Sequence, residues 1–179
     1  MPEESRQKDG FFGAIKLMNN QDEINNYFAF EKKKHFDFFL PFYQEKNWIV
    51  HKDNIAGNCP IDWDVKLETF ANQFILVDEK ARQGDFGDCL VEIIQDMNTK
   101  KLGWYFGEKD YILYGSWIDT ESNYPSSLYM IDAKKLKEYI NNLDGFIKTC
   151  ISKKGWGNTW NIVLDWGDLI NENIVTRLL

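Results

Sequence analysis

Residues 62–68 (DWDVKLE) and 74–81 (FILVDEKA) alternate polar and apolar side chains on either side of a short connection. A period of two belongs to a half-buried strand, and two such strands this close in sequence form an antiparallel hairpin. With the turn centred near Ala71, Asp64 stands opposite Asp78 and Asp62 opposite Lys80. Directly opposed residues have Cβ atoms ~4.5–5.5 Å apart. The same period puts Asp62 with Asp64, and Asp78 with Lys80, on one face of their strands, and turns Glu79 to the other face. Two facing carboxylates repel unless a proton or a cation lies between them. A hard divalent cation such as Mg2+ takes oxygen ligands of this kind and keeps several of its waters. A neighbouring lysine orients or deprotonates such a water, or neutralises developing charge. A solvated hairpin with ordinary cross-strand pairs has the same pattern, so spacing alone leaves both readings open.

The flanking segments indicate what the hairpin packs against. Ile24, Phe28, His35, Phe39 and Phe42 recur at helical steps, and Tyr27, Phe36, Leu40 and Tyr43 widen the stripe. They predict a helix over 22–46 that Asn20 or Asp22 caps. Pro41 lacks the N–H that an unbroken helix uses, and should kink or split it. Strands are expected at 47–52, 89–96, 103–106, 111–117, 127–131 and 159–164, with a loop at 53–60. Asp132 caps a helix through Leu143, and residues 166–171 form a short one. Residues 1–20 read as a tail or an added strand, and residues 21–179 as a single domain. The order of helix, several strands, helix and strand is that of an α/β domain with a mixed sheet.

Composition narrows the function. Net charge is −7, and residues 61–120 alone hold 12 acidic and 6 basic side chains. An acidic balance disfavours broad contact with phosphates, while acid concentrated in one segment is either a solvated face or a metal site. An aromatic share of 16% excludes a disordered chain. No apolar run approaches the ~18 residues of a membrane span, and residues 11–18 lack a cleavage site, so no membrane partner and a cytoplasmic location are expected. Cys59, Cys89 and Cys150 suit neither a disulfide framework nor a zinc site. His35 and His51 are the only histidines, a poor basis for a Ser-His-Asp triad or a His-rich metal site. Phosphate-loop and dinucleotide-binding glycine motifs are absent from the sequence.

The acid Asp64, a short connection, and an apolar strand ending acid-x-Lys (Phe74-Ile-Leu-Val-Asp78-Glu-Lys80) together resemble the PD-(D/E)XK nuclease superfamily, also called restriction-endonuclease-like. The flanks are similar too. An amphipathic helix carrying an acid comes before; a Val-Glu92-Ile-Ile-Gln95 strand comes after, then Gly103-Trp104 and a strand start at Lys109-Asp110-Tyr111. The resemblance runs from about Glu31 to Ile131. It implies a restriction-endonuclease-like α/β domain, with a central mixed β-sheet flanked by helices. It also implies a Mg2+-dependent endonuclease hydrolysing DNA phosphodiester bonds, with Mn2+ as a substitute. Asp64 and Asp78 are then the metal ligands that bridge Mg2+ to the scissile phosphate, and Lys80 holds the attacking water. Glu31, Glu92 and Asp62 are auxiliary. DNA is the implied partner, and a homodimer is compatible with the resemblance.

Other residues offer alternatives. Glu31 lies on the helix stripe, where a carboxylate either finds a partner or metal or reaches water from the stripe's edge. Of Glu92 and Gln95, which have opposite parity in a flat strand, Glu92 is preferred. Asp110 reads as a strand-start residue. Lys153, Lys154 and Gly155-Trp156-Gly157 form a basic-aromatic loop suited to touching phosphate, and Lys32–Lys34 form a solvated helix face. The contrasting reading is a non-enzymatic acidic binding protein that masks a basic partner, supported by the net charge and the tryptophans. Incubation with plasmid and single-stranded DNA, with Mg2+ or Mn2+ and with chelator, separates the two.

Overall fold

A computed structural model describes residues 20–53, 63–143, 147–154 and 157–179. Residues 1–19 of the expected tail, and Asp62, lie outside them, and Asn20 already begins the first helix. Helices α1 (Asn20–Lys34) and α2 (Leu40–Glu45) are joined by a π-helical turn, His35–Phe39. Pro41 falls in the first turn of α2. There its missing N–H costs nothing, and the wide turn before it accommodates the carbonyl its ring meets in a continuous helix.

The strands are β1 (Ile49–Asp53), β2 (Val65–Glu68), β3 (Phe74–Gln83), β4 (Asp88–Asp96), β5 (Lys101–Leu102), β6 (Tyr111–Trp117), β7 (Ser127–Asp132), β8 (Thr149–Lys154), β9 (Gly157–Asp165) and β10 (Val175–Arg177). Helix α3 (Ala133–Asn141) follows β7, and α4 (Trp166–Asn171) follows β9. Asp132 caps α3 by accepting from the Lys135 N–H, at 3.0 Å. The chain is α/β. A six-stranded sheet in the order β1-β2-β3-β6-β7-β10 is mixed, because β3 and β6 run parallel and the other neighbours antiparallel. A second, antiparallel sheet has the order β5-β4-β9-β8.

The layers follow from strand parity. On one face of the large sheet, Phe30, Phe38, Phe39 and Tyr43 of the helical segment pack on Val77, Leu113, Trp117 and Leu128. On the other, Ile112, Tyr114, Tyr129 and Ile131 meet α3, α4 and the inner side of β4 and β9. The second sheet therefore shares with α3 and α4 the face opposite residues 38–43. Burying each of these large apolar side chains contributes roughly 1.5–3 kcal/mol.

Three expectations are corrected. Residues 103–106 are not a strand: Trp104–Phe106 form a 3-10 turn, because the Gly103 N–H bonds the Ile93 carbonyl at 2.8 Å and ends the pairing of β5. Lys153 and Lys154 lie in strand β8 and not in a loop, paired to Asn158 and Gly157; residues 155 and 156 lie outside the described residues. Lys34 is not part of a solvated face. It is buried, and its Nζ donates to the carbonyls of Thr120 (2.8 Å) and Ser122 (2.6 Å), satisfying the charge with backbone dipoles. Among the described residues no helix is long and apolar enough to cross a membrane.

Candidate active site

The expected register holds. Val65 pairs with Val77, Lys66 with Leu76, Leu67 with Ile75 and Glu68 with Phe74, and Asp64 comes directly before the first of these pairs. There the chain leaves the ladder. The Asp64 N–H still bonds the Val77 carbonyl (2.9 Å), and its carboxylate accepts from the Glu79 backbone N–H at 2.6 Å. Asp64 thus takes over the role of the missing β2 carbonyl, which fixes its side chain beside Asp78.

Asp78 and Lys80 share the face of β3 that looks toward the second sheet. Lys80 Nζ donates to Asp78 Oδ1 at 2.7 Å. A second ammonium, Lys109 Nζ, donates to Asp78 Oδ2 at 2.8 Å and to the Trp104 carbonyl at 2.6 Å. Lys109 is 1% exposed and Lys80 23% exposed, so the first is an internal anchor and the second is the more accessible of the two. Each carboxylate oxygen can accept a further contact beyond these ammoniums. Glu31 on α1 is half-buried and close enough to Lys80 to favour its charged form; one turn earlier, Tyr27 hydrogen-bonds Glu31. Glu92 on β4 is buried, and with Lys80 it lines one cavity between the sheets. Four acids and one lysine singled out from the sequence are therefore neighbours. The fifth acid, Asp62, lies outside the described residues.

Lys109 was read from the sequence only as part of a strand start. Its place beside Asp78 depends on the parallel β3–β6 register, in which Val77 pairs with Tyr111, a long-range pairing with no local pattern. Asp110 is a strand-start residue, accepting from the Leu76 N–H at 2.8 Å. Strand β4 is not flat: its register against β9 shifts between Glu92 and Ile94, so parity does not separate Glu92 from Gln95. The bulge also explains Gly103. A Cβ there would collide with the Glu92 backbone, and only a bare glycine lets the Trp104 turn seat against β4.

Glu79 points to the opposite face, as parity requires, and meets a buried polar network there. Its carboxylate contacts His35 Nδ1 at 2.7 Å and accepts from the Tyr43 hydroxyl at 2.8 Å. His35 and Tyr43 are both fully buried.

The charges on the acids are unequal. Burial, reinforced by the Asp78 carboxylate, holds the Asp64 carboxyl well above the ordinary range. Burial also acts against charge on Asp78, but Lys80 and Lys109 outweigh it and hold that carboxyl below the ordinary range. Lys80 keeps its proton despite burial because Asp78, Asp64 and Glu31 surround it. Burial draws Lys109 below the usual lysine range, although Asp78 opposes this. The two carboxyls are therefore driven in opposite directions, Asp64 toward its protonated form and Asp78 toward its charged form.

A pH dependence follows. Between its unfolded and folded pKa, Asp64 binds more protons in the native state, so its contribution is fully present at low pH and is lost as pH rises through the folded value. A cation that takes the place of that proton reverses the trend. We expect the melting temperature rise on adding Mg2+ to grow from pH 5 to pH 8 in wild type, approaching tenfold in apparent affinity per pH unit while Asp64 is protonated. Thermal scans across that range, with and without Mg2+, measure it, and a pH-independent rise would contradict it.

Asp64 and Asp78 are the two carboxylates that could hold a hard divalent cation, a kind of ion commonly bound by one or two carboxylates with water and phosphate completing its shell. Among the described residues, no group of three or more His, Cys, Asp or Glu side chains is placed to hold a metal ion. The chain matches no family model, no curated protein and no solved structure.

Proposed function

We propose that this chain is a metal-dependent DNA endonuclease of the PD-(D/E)XK type, with a restriction-endonuclease-like core formed by β2, β3, β6 and α1. The observation that carries the reading is the Asp64 carboxylate held on the Glu79 N–H beside Asp78, with Lys80 on the same face of β3 and 2.7 Å from Asp78. Asp64 and Asp78 would hold Mg2+, which supplies Lewis-acid stabilisation of the phosphate and a water of lowered pKa when bound.

The chain's own residues do the rest. The Glu79 N–H fixes Asp64, and Lys109 fixes Asp78 from the interior. The Lys80 ammonium stays charged, so it orients the attacking water and stabilises charge developing on phosphate oxygens; it is not a neutral base. Glu31 keeps that ammonium charged from the α1 side.

Asp64→Asn is the sharpest test of the acid pair. Asparagine imitates the protonated carboxyl, retains an acceptor for the Glu79 N–H, and should leave the metal-free melting temperature within about 2 °C of wild type. In wild type, Mg2+ at a hundred times its Kd should add ~2.7 kcal/mol; in Asp64→Asn that gain should vanish, together with Mg2+- or Mn2+-dependent cleavage of plasmid and single-stranded DNA. Wild type that cleaves nothing under either metal, and melts alike with and without it, would return the acidic binding protein as the better account.

A further inference from the structure

Between the two sheets, next to Lys80, lies a cavity of about 200 Å3 whose walls include Tyr27, Leu90, Trp104, Tyr114 and Asn161. It is smaller than the ~300–1,000 Å3 of pockets for drug-sized molecules, so it suits one ring system and not a dinucleotide. Its apolar walls are three aromatic rings, Leu90 and Ala81, and Lys80, Arg82 and Gln83 line it beside them. Two of its polar groups are deep: Glu92 is 6% exposed and Asn161 4%. A phosphate does not suit this lining. Lys80 is engaged by Asp78 and Arg82 by Asp88, and Glu92 brings negative charge. A flat heterocycle suits it, because the lining offers three aromatic rings on which a planar ring can stack.

We propose that the cavity receives one unstacked nucleobase of the substrate, so that the site cuts beside an unpaired nucleotide. The inference rests on the nuclease reading and adds the substrate class, single-stranded or locally unpaired DNA. A base inside a duplex is stacked and paired, and must be extruded to enter a cavity, whereas an unpaired base enters without that cost. Sharing Lys80 between cavity and acid pair places the base of a nucleotide within reach while its phosphate lies at Asp64 and Asp78.

The test uses a single-stranded oligonucleotide carrying 2-aminopurine and its matched duplex. In chelator, binding of the single strand should quench 2-aminopurine fluorescence through stacking. With Mg2+, the single strand should be cut at least ~10-fold faster than the duplex, the scale of one stacked base. Leu90→Trp fills the cavity without touching either acid. Gln83→Trp does so from an exposed position on the rim, where the fold is not at stake. Both variants should lose the quench and most of the single-strand advantage, yet keep the Mg2+-induced rise in melting temperature. Equal cutting of both substrates, or a quench undiminished in both variants, overturns the inference and leaves the nuclease reading standing. A quench abolished by both variants in a protein that cuts no substrate keeps the base cavity and removes the nuclease reading.

Discussion

Lys80→Ala is expected to slow single-turnover DNA cleavage by about 10²–10³-fold while the melting temperature stays within a few degrees of wild type. Removing one preorganised electrostatic donor from an active site typically costs ~2.7–4 kcal/mol of transition-state stabilisation, which sets the scale. The fold should tolerate the change for a specific reason. Lys80 is the more exposed of the two ammoniums on Asp78, and Lys109 remains to satisfy that carboxylate. Lys80→Arg keeps the charge but replaces a compact ammonium with a planar fork, so it should also lose most activity while still showing metal-induced stabilisation. The reverse is expected of Lys109. Because its charge is internal and anchors Asp78, Lys109→Ala should lower stability as well as rate. Rates near wild type in Lys80→Ala would remove the lysine from the chemistry.

Glu79→Ala carries the largest expected loss of stability, about 3–5 kcal/mol, or on the order of 10 °C in melting temperature for a chain of this size. From the alternation alone, Glu79 is the residue of its strand that faces away from the acids, and a mild effect follows if that far face meets solvent. It meets His35 and Tyr43 in a buried network instead. Truncation leaves a buried imidazole and a buried hydroxyl without their acceptor, which is costlier than the loss of the contacts themselves. Glu79→Gln, close in shape and still an acceptor, should recover part of the loss. Denaturant or thermal unfolding measures both; a Glu79→Ala protein as stable as wild type would mean the network contributes nothing.

Parts of this architecture are readable from local pattern, and the reasons are physical. The β2–β3 register was legible because the period of two and a short connection leave few pairings that keep Val65, Leu67 and Val77 on one buried face. Asp132 and the helix after it were legible because capping chemistry is local. Two edge strands were not, β8 (TCISKK) of the second sheet and β10 (VTR) of the large one, since both are short and lack alternation, and their strand form comes from β9 and β7 as partners. Lys109 shows the same limit within the site. Its neighbours in sequence say only that a strand begins, and its contact with Asp78 exists through a parallel pairing 31 residues away. His35 was visible on the helical stripe, but its acceptor, Glu79, lies 44 residues on.

Strand β3 divides its labour by parity. Val77, Glu79 and Ala81 belong to the helical layer, while Asp78 and Lys80 belong to the acid pair and its cavity. Ancestry can be read from such a strand. A descendant that abandoned the chemistry while keeping its shape would be free to drift at the even positions and held at the odd ones. The signature of a retired copy is a preserved Val-x-Glu-x-Ala frame from which the Asp and Lys have gone. A copy still under selection for cleavage retains all five residues in a row, for two unrelated reasons.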